Sequence, residues 1–348
     1  MKRVKAVRPN GRIDELLGDM ADAGFQGRKL GESLEVLTRM ITDEDCTVIL
    51  GLSGAMIPAG MQKVIIELVK RRYVDVIVST GANIFHDACE HLDVHHYKGH
   101  HNVDDAELFS KGIDRIYDVF AHEDEFRKID GIIADFGKEL ASGMPAGMTY
   151  NKSSAEFTYG LGRHLMKLNP NGESVLSEAA KNGVRIFVPA LCDSSIGIAL
   201  VSARRGGVDI SIDQLADADE LTRIVEHSER TGVVYVGGGV PKNFIQQTQV
   251  IASIHDAGKE GHNYAVQFTV DSPHWGGLSG CTFEEAVSWG KEATDCRNVQ
   301  CFCDATIALP VVVSGLIAKG VTRPNPPDVT ALISSDSVSQ KSPSLKKP

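Results

Sequence analysis

A lysine beside a tryptophan is the side chain of this sequence with the most specific chemical potential. Lys291 closes the stretch FEEAVSWGK, which starts at Phe283 and has the apolar spacing of a short helix. A lysine that an indole shields from water loses its charge more readily, and the free amine can attack a carbonyl or an imine. Spacing alone also allows an ordinary lysine that interacts with the dipole at the end of a helix.

Three glycine-rich segments follow predicted strands, at residues 51–54, 79–83 and 237–239. Successive glycines let a ligand approach the backbone closely, and Pro241 suits the first turn of a helix whose free N–H groups could bind a phosphate. None of the segments is a GxGxxG motif, and each one alone could be a plain tight turn. Their joint placement predicts a nucleotide-type ligand, with a dinucleotide suggested by the number of loops.

A histidine-rich run at residues 89–101 contains five of the twelve histidines. His91 and His95 are four residues apart, so a helix would place them on one face with the spacing of zinc ligands. No HExxH motif accompanies the run, and clustered histidines are also common on solvated loops. We therefore predict no metal site, and keep a metal-dependent hydrolase that uses residues 91–101 as an alternative.

Short β-branched runs alternate with longer amphipathic segments, as in a parallel sheet with crossover helices. The predicted strands begin at Cys46, Val74, Val184, Val233, Tyr264 and Val299, and the predicted helices include residues 61–71, 123–141, 214–229 and 244–255. This pattern predicts one α/β domain with a doubly wound, mostly parallel, Rossmann-like sheet. We expect a helical extension at residues 1–44, the α/β domain at 45–320, and a C-terminal tail at 321–348 that is largely disordered from about residue 334.

Composition narrows the class of protein and of partner. The 348 residues are 42% apolar with a formal charge of −10, which excludes wholesale disorder and argues against a nucleic-acid partner. The longest nearly unbroken apolar stretch, residues 307–318, is shorter than the ~20 residues of a membrane span, so no membrane partner is expected. The N-terminus lacks a signal-peptide pattern. Seven cysteines without a CxxC pair fit reduced thiols in the cytoplasm.

The segment EAVSWGK at residues 285–291 resembles the deoxyhypusine synthase family, and other segments do so in the family's order. They are LGLSGAMIPAGM from Leu50, VDVIVSTGANIFHD from Val74, DRIYD from Asp114, FVPALCDSSIG from Phe187, VGGGVPKN from Val236 and CDATIALP from Cys303. The resemblance covers residues 45–318 and makes the family assignment specific.

The resemblance implies an NAD-dependent transfer of an aminobutyl group. In the family, NAD takes a hydride from spermidine, a lysine matching Lys291 carries the butylimine, and an acceptor amine receives it. The acceptor is a lysine of a translation factor in the founding enzyme and putrescine in homospermidine-forming relatives. The family also implies a homotetramer with active sites between subunits. A true deoxyhypusine synthase and a non-catalytic NAD-binding paralogue remain alternatives.

Site residues follow from the same resemblance, position by position. Lys291 matches the catalytic lysine, Glu285 and Trp289 match the amine pocket, and Asn243 occupies the position of a pocket histidine. The cofactor-contacting positions are Thr80, Gly81, Ala82, Asp193, Gly238, Gly239, Gly276, Ser279, Asp304, Ala305 and Thr306.

This sequence differs from the family at several positions that contact the substrate or the cofactor in the family. Ile198 and Leu278 replace two acidic residues, and Phe85 and His86 replace an acidic pair beside the second glycine loop. An unpaired buried ammonium costs several kcal/mol, so a bound amine would need other partners, such as Asp271 or His274. We therefore expect small cationic amines as substrates and hypothesise that the translation factor is not the acceptor.

Overall fold

Strands and helices alternate along the chain from Ile13 to Ser334. The computed structural model describes residues 3–9, 11–255, 258–277 and 279–334. The α-helices are α1 (Ile13–Ala21), α2 (Phe25–Thr42), α3 (Gln62–Lys70), α4 (Gly81–His91), α5 (Asp105–Ser110), α6 (Glu123–Ser142), α7 (Ser154–Leu168), α8 (Val175–Asn182), α9 (Ser195–Arg205), α10 (Gln214–His227), α11 (Gly239–Ile254), α12 (Phe283–Ser288), α13 (Ala305–Ala318) and α14 (Val329–Ser334). The strands are β1 (Cys46–Leu52), β2 (Val76–Ser79), β3 (Tyr97–Lys98), β4 (Ile113–Ile116), β5 (Val119–His122), β6 (Tyr150–Lys152), β7 (Arg185–Phe187), β8 (Ile210–Ile212), β9 (Arg230–Val236), β10 (His262–Thr269) and β11 (Glu292–Phe302).

The six predicted strands form the main sheet, in the order β11-β10-β9-β1-β2-β7. Every residue of β1 is buried, as are all residues of β9 after Arg230, which explains their continuous apolar sequences. β1 pairs with β9, β9 with β10, and β10 with β11, all in parallel register. The predicted α/β fold class with a mostly parallel sheet is confirmed.

A first compact unit comprises Met1–Ser53, Glu67–Val78 and Ala218–Pro348. Its N-terminal helices are part of its core, because α1 packs on α2 and α13 while α2 packs on β10 and β11. Gly31 makes the helix crossing possible, since a Cβ there would overlap the backbone of Ala21. The segment predicted as an added pair of helices thus covers one face of the sheet.

A second compact unit comprises Gly54–Ile66 and Ser79–Asp217. It contains an antiparallel sheet in the order β3-β5-β4 and a parallel pair of β6 with β8. These strands have two to four residues, too few for a sequence pattern to reveal. The predicted domain limits at residues 44 and 320 do not coincide with either unit and stay predictions.

The predicted disorder of the C-terminal tail concerns residues 335–348, which lie outside the described residues. Within the described ranges, none of the helices has the length and apolar character required to cross a membrane.

A buried ion pair fastens the segment after α13 to the start of the sheet. Arg323 Nη1 lies 2.8 Å from Asp75 Oδ2, and both side chains are buried. The same carboxylate accepts a hydrogen bond from Val48 N, while Arg323 also donates to the carbonyl oxygens of Arg72 and Cys46. Burial raises the pKa of Asp75, and the two guanidinium groups of Arg323 and Arg72 oppose that shift. Removing either member would leave the other group buried without its main partner.

We predict that Arg323→Met lowers the free energy of unfolding by about 3 kcal/mol, because the buried Asp75 loses one of its two guanidinium partners and keeps only Arg72. Chemical denaturation measures this loss. The control is Arg127→Met, which removes an exposed arginine paired with Glu123 and is expected to cost less than about 1 kcal/mol. Equal effects of the two substitutions would contradict the prediction.

Candidate active site

The carboxyl ends of four parallel strands lie at one edge of the main sheet. Leu52 is in register with Val236, Val236 with Phe268, and Thr269 with Phe302. The loops that follow β1, β9, β10 and β11 therefore begin side by side. This is the position where open parallel sheets bind ligands.

Two of these loops contact each other directly in the first unit. Gly238 packs against Ser279 so closely that a Cβ at residue 238 would overlap the backbone of Ser279. Ser53 Oγ donates to the carbonyl oxygen of Gly238. On the other side, Ser279 N donates to Asp271 Oδ2 at 2.6 Å, and its hydroxyl lies 2.7 Å from Thr269 Oγ1. The structure thus brings together Gly238 and Ser279, two of the predicted cofactor positions.

The remaining predicted cofactor residues of the first unit border these loops. Gly239 begins α11 and has a φ of 55°, while Gly276 has a φ of 67°, so both occupy backbone conformations that glycine favours. Asp304 caps α13, because its carboxylate accepts hydrogen bonds from Thr306 N at 2.8 Å and Thr306 Oγ1 at 2.6 Å. Ala305 is the first residue of that helix.

The other four predicted cofactor residues belong to the second unit. Thr80 caps α4 by accepting a hydrogen bond from Asn83 N, and Gly81 and Ala82 form the first turn of that helix. A Cβ at Gly81 would overlap the side chain of Ser194, so the loop carrying the exposed Asp193 lies against the start of α4. Sequence reasoning placed these residues in one group, and the structure distributes that group over both units.

The start of α11 leaves room for a phosphate group. The cap position of this 16-residue helix is Gly238, so no side chain caps its first N–H groups, and a Cβ at Gly239 would meet no other atom within 4 Å. The residues present therefore fit the phosphates of NAD at this helix N-terminus.

Lys291 and Trp289 lie next to each other at the end of α12. Lys291 Nζ is 5.3 Å from the centroid of the Trp289 ring, within the range of a cation–π interaction. The turn is a helix C-terminus of the Schellman type: Gly290 has a φ of 65°, and Lys291 N donates to Ala286 O at 3.0 Å. The indole is 63% exposed, and Glu285 on the same helix is also exposed. The predicted pairing of lysine and indole is present, although the indole is open to solvent.

Lys291 and the glycine loops lie at opposite ends of the strands. Lys291 precedes β11, whose first residue, Glu292, pairs with His262 at the start of β10. Helix α12 connects the loop after β10 to this lysine. Burial lowers the pKa of Lys242 in the first turn of α11, and the charge of Lys291 adds a smaller effect in the same direction, so electrostatics still link the two ends.

Sequence reasoning missed a buried polar cluster in the first unit. Lys242, Gln246, Gln267 and Glu292 are each at most 1% exposed. Gln246 Nε2 donates to Glu292 Oε1 at 3.2 Å, and burial raises the pKa of Glu292 to about 8. Only the sequence positions of two members could have pointed to this cluster. Lys242 belongs to the VPKN segment after the glycines, and Glu292 directly follows Lys291.

The departures from the family pattern occupy different environments. Ile198 on α9 is 59% exposed, and Leu278 lies outside the described residues. Asn243 is exposed on α11 and adjoins Gly280, where a Cβ would lie 3.3 Å from its Oδ1. Asp271 already accepts the Ser279 N–H, and His274 contacts Ser272, so both suggested replacements have structural partners.

The histidine run holds its loop to α4. Helix α4 ends at His91, so His95 lies beyond it and the two do not share a helix face. His91 is buried and contacts Ser174 Oγ at 3.0 Å. Among the described residues, no group of three or more His, Cys, Asp or Glu side chains is arranged to hold a metal ion. His91 and His95 therefore lack the shared helix face from which the zinc-ligand spacing was inferred.

A chain of hydrogen bonds joins Glu90, His96 and His86. Glu90 Oε1 is 2.6 Å from His96 Nδ1, and His96 Nε2 is 2.9 Å from His86 Nδ1. Phe85 and Phe126 pack around His86, and burial lowers its pKa to about 3. His86 is therefore neutral at physiological pH.

Acid should destabilise the protein through His86. The folded-state pKa lies below the ordinary value of 6.5, so the unfolded chain binds the proton first and stability falls as the pH drops below 6.5. Between pH 6.5 and about pH 5 we predict that the wild type loses about 1.5 kcal/mol more than His86→Phe. Urea denaturation at both pH values measures the difference. Equal pH dependence of the wild type and of His86→Phe would contradict the prediction.

We predict that Gly238→Ala lowers the free energy of unfolding by about 1–3 kcal/mol, because its Cβ must displace the backbone of Ser279. Gly131→Ala is the matched control: residue 131 lies within α6 in open space, where alanine stabilises a helix by roughly 0.5–1 kcal/mol. Denaturant titration compares them, and a Gly238→Ala variant as stable as the wild type would contradict the packing described.

Comparison with known proteins shows which family the chain is similar to. A family model for deoxyhypusine synthase matches residues 15–316. "Probable deoxyhypusine synthase 2" from Methanosarcina mazei is 55% identical over 316 residues, which cover 90% of each chain. "Deoxyhypusine synthase-like protein" from Chlorobaculum tepidum is 41% identical over 303 residues, 85% of this chain and 84% of that protein.

The solved structure titled "Crystal Structure of a putative deoxyhypusine synthase from Entamoeba histolytica" has a similar fold. The TM-score is 0.61 at 21% identity, and the match covers 89% of this chain and 94% of the other. The family model and the identity to the archaeal protein confirm the resemblance seen in the sequence motifs: this chain belongs to the deoxyhypusine synthase family of aminobutyl-transferring enzymes.

Proposed function

We propose that the protein transfers an aminobutyl or related aminoalkyl group from spermidine, or a similar amine, to a second amine in polyamine metabolism. NAD is the proposed cofactor, and Lys291 is the residue that carries the group. The observation that supports this most directly is the position of Lys291 Nζ, 5.3 Å from the Trp289 ring centroid, at the turn that matches the family's imine-forming lysine.

The transfer is redox-neutral overall. Bound NAD supplies the oxidation of the donor amine to an imine and the final reduction of the product imine. Lys291 Nζ adds to the imine carbon, and a proton moves from the lysine nitrogen to the nitrogen of the diamine. The bond between the carbon and the diamine nitrogen then breaks, so the diamine leaves and the aminobutyl group remains on Lys291 as an imine. The acceptor amine then displaces Lys291 by the same exchange.

The residues around Lys291 suit a cationic substrate. The exposed indole of Trp289 offers a face to an ammonium group, and the exposed carboxylate of Glu285 on the same short helix offers a negative partner. With 63% of its surface open, Trp289 suits an active site that another subunit completes, so we include in the proposal a homotetramer with active sites between subunits. The seven free thiols suit a cytoplasmic enzyme.

For the acceptor we propose a small amine such as putrescine or agmatine. The sequence replaces family carboxylates by Ile198 and Leu278 and a family histidine by Asn243, which removes charged partners around the substrate. The second candidate is modification of a translation-factor lysine, which the close relationship to proteins named probable deoxyhypusine synthases favours. The product formed from each acceptor distinguishes the two.

We predict that Lys291→Ala abolishes transfer, because no other amine replaces the nucleophile at this turn. Purified protein is incubated with NAD, spermidine and one of putrescine, agmatine or the translation factor, and products are identified by mass. Borohydride should trap the aminobutyl group on the peptide that contains Lys291. Lys138→Ala, which removes an exposed lysine of α6 paired with Asp135, is the control and should keep wild-type activity.

Three outcomes would contradict parts of this proposal. Full activity of Lys291→Ala would exclude the lysine mechanism. Efficient aminobutylation of the translation factor alone would exclude a small-amine acceptor. Binding of NAD without any amine-dependent NADH signal would indicate a non-catalytic paralogue.

A further inference from the structure

Gln267 lies beneath the two glycine loops and is completely buried. Its side-chain amide makes four hydrogen bonds. Nε2 donates to Gly237 O at 2.8 Å and to Ser279 O at 3.4 Å, while Oε1 accepts from Lys242 Nζ at 3.0 Å and from Gln300 Nε2 at 2.8 Å. Two donors and two acceptor lone pairs are the full capacity of an amide. The amide therefore holds one fixed orientation.

The partners of Gln267 come from both loops at the carboxyl edge. Gly237 belongs to the loop after β9, and Ser279 belongs to the loop after β10. These loops already touch at Gly238 and Ser279, where the space for a side chain is absent. A single side chain thus forms hydrogen bonds to both segments.

Lys242 extends the same connection. Its ammonium group donates to Cys281 O at 2.6 Å as well as to Gln267, and lies 5.3 Å from the Phe283 ring centroid and 5.6 Å from that of Tyr235. A completely buried ammonium requires such partners, since an unpaired one is strongly unfavourable. Lys242 therefore depends on Gln267, and both groups restrain residues 279–281.

We infer that Gln267 and Lys242 form a clamp that fixes the glycine loops in the geometry that receives the dinucleotide. Gln267 is a positioning residue: it acts through Gly237 and Ser279 and does not itself touch the cofactor. This inference rests on the proposed function, because the ligand is NAD. Loops held in place before binding lose less conformational freedom on binding, so the clamp increases affinity.

The test compares two substitutions of buried glutamines. Gln267→Met keeps the side-chain volume but removes all four hydrogen bonds, and we expect it to raise the Kd for NAD about tenfold in titration calorimetry without amine. Gln249→Met is the matched control: Gln249 is also buried in the first unit, but its amide contacts Thr231 and His262, away from the loops. It should change the Kd less than about twofold.

Amide hydrogen exchange without NAD gives a second readout. We expect faster exchange at residues 237–239 and 279–281 in Gln267→Met than in Gln249→Met. Should Gln267→Met fail to fold, Gln267→Glu replaces it: the carboxylate still accepts from Lys242 and Gln300 but cannot donate to Gly237 O or Ser279 O, and the same loss of NAD affinity is expected.

Two results distinguish a failure of the clamp from a failure of the proposed function. A folded Gln267 variant that binds NAD as tightly as the wild type, with unchanged loop exchange, would overturn the clamp and leave the proposed function intact. Wild-type protein that binds no NAD would overturn the proposed function and, with it, the role of the clamp in cofactor binding.

Discussion

The parallel register of β1, β9, β10 and β11 is the constraint on which the candidate site depends. Backbone hydrogen bonds align Leu52, Val236 and Phe268 at one edge, and the glycine loops can meet only because their strands end there. Gly238 and Ser279, which touch each other, belong to the loops that follow two of these strands. Packing of α2 on β10 and β11 supports the same strands from one face.

Charged side chains are buried at two places in the first unit, and their charges are compensated in different ways. Asp75 and Arg323 compensate each other directly near the start of the sheet, as a paired carboxylate and guanidinium. Lys242 instead relies on neutral acceptors and aromatic rings, and burial lowers its pKa. The first arrangement fastens a chain segment. The second keeps a positive charge close to the loops where phosphates would bind.

The main sheet could be predicted from sequence because buried parallel strands leave continuous apolar runs, as in CTVILG from Cys46. The pairing of Lys291 with Trp289 could also be anticipated, since the two residues are separated by one glycine. The clamp could not be predicted, because Gln267 is one of several polar residues in β10 and nothing in the sequence distinguishes it. Its partners Gly237, Ser279 and Gln300 become neighbours only when the strands and their loops are assembled. The short strands of the second unit have too few residues to show a periodic pattern. The cofactor positions belong to both units, and this division could not be read from their positions in the sequence.

The pairing of β1 with β9 also bears on how the chain acquires its structure. Cys46 in β1 finds its partner, Arg230, only after the entire second unit has been synthesised. During translation, the edge of β1 that pairs with β9 has no partner until β9 has been synthesised. Such long-range pairing slows folding and favours aggregation. An N-terminal fragment that ends before β9 therefore lacks the strand that pairs with β1 along its whole length.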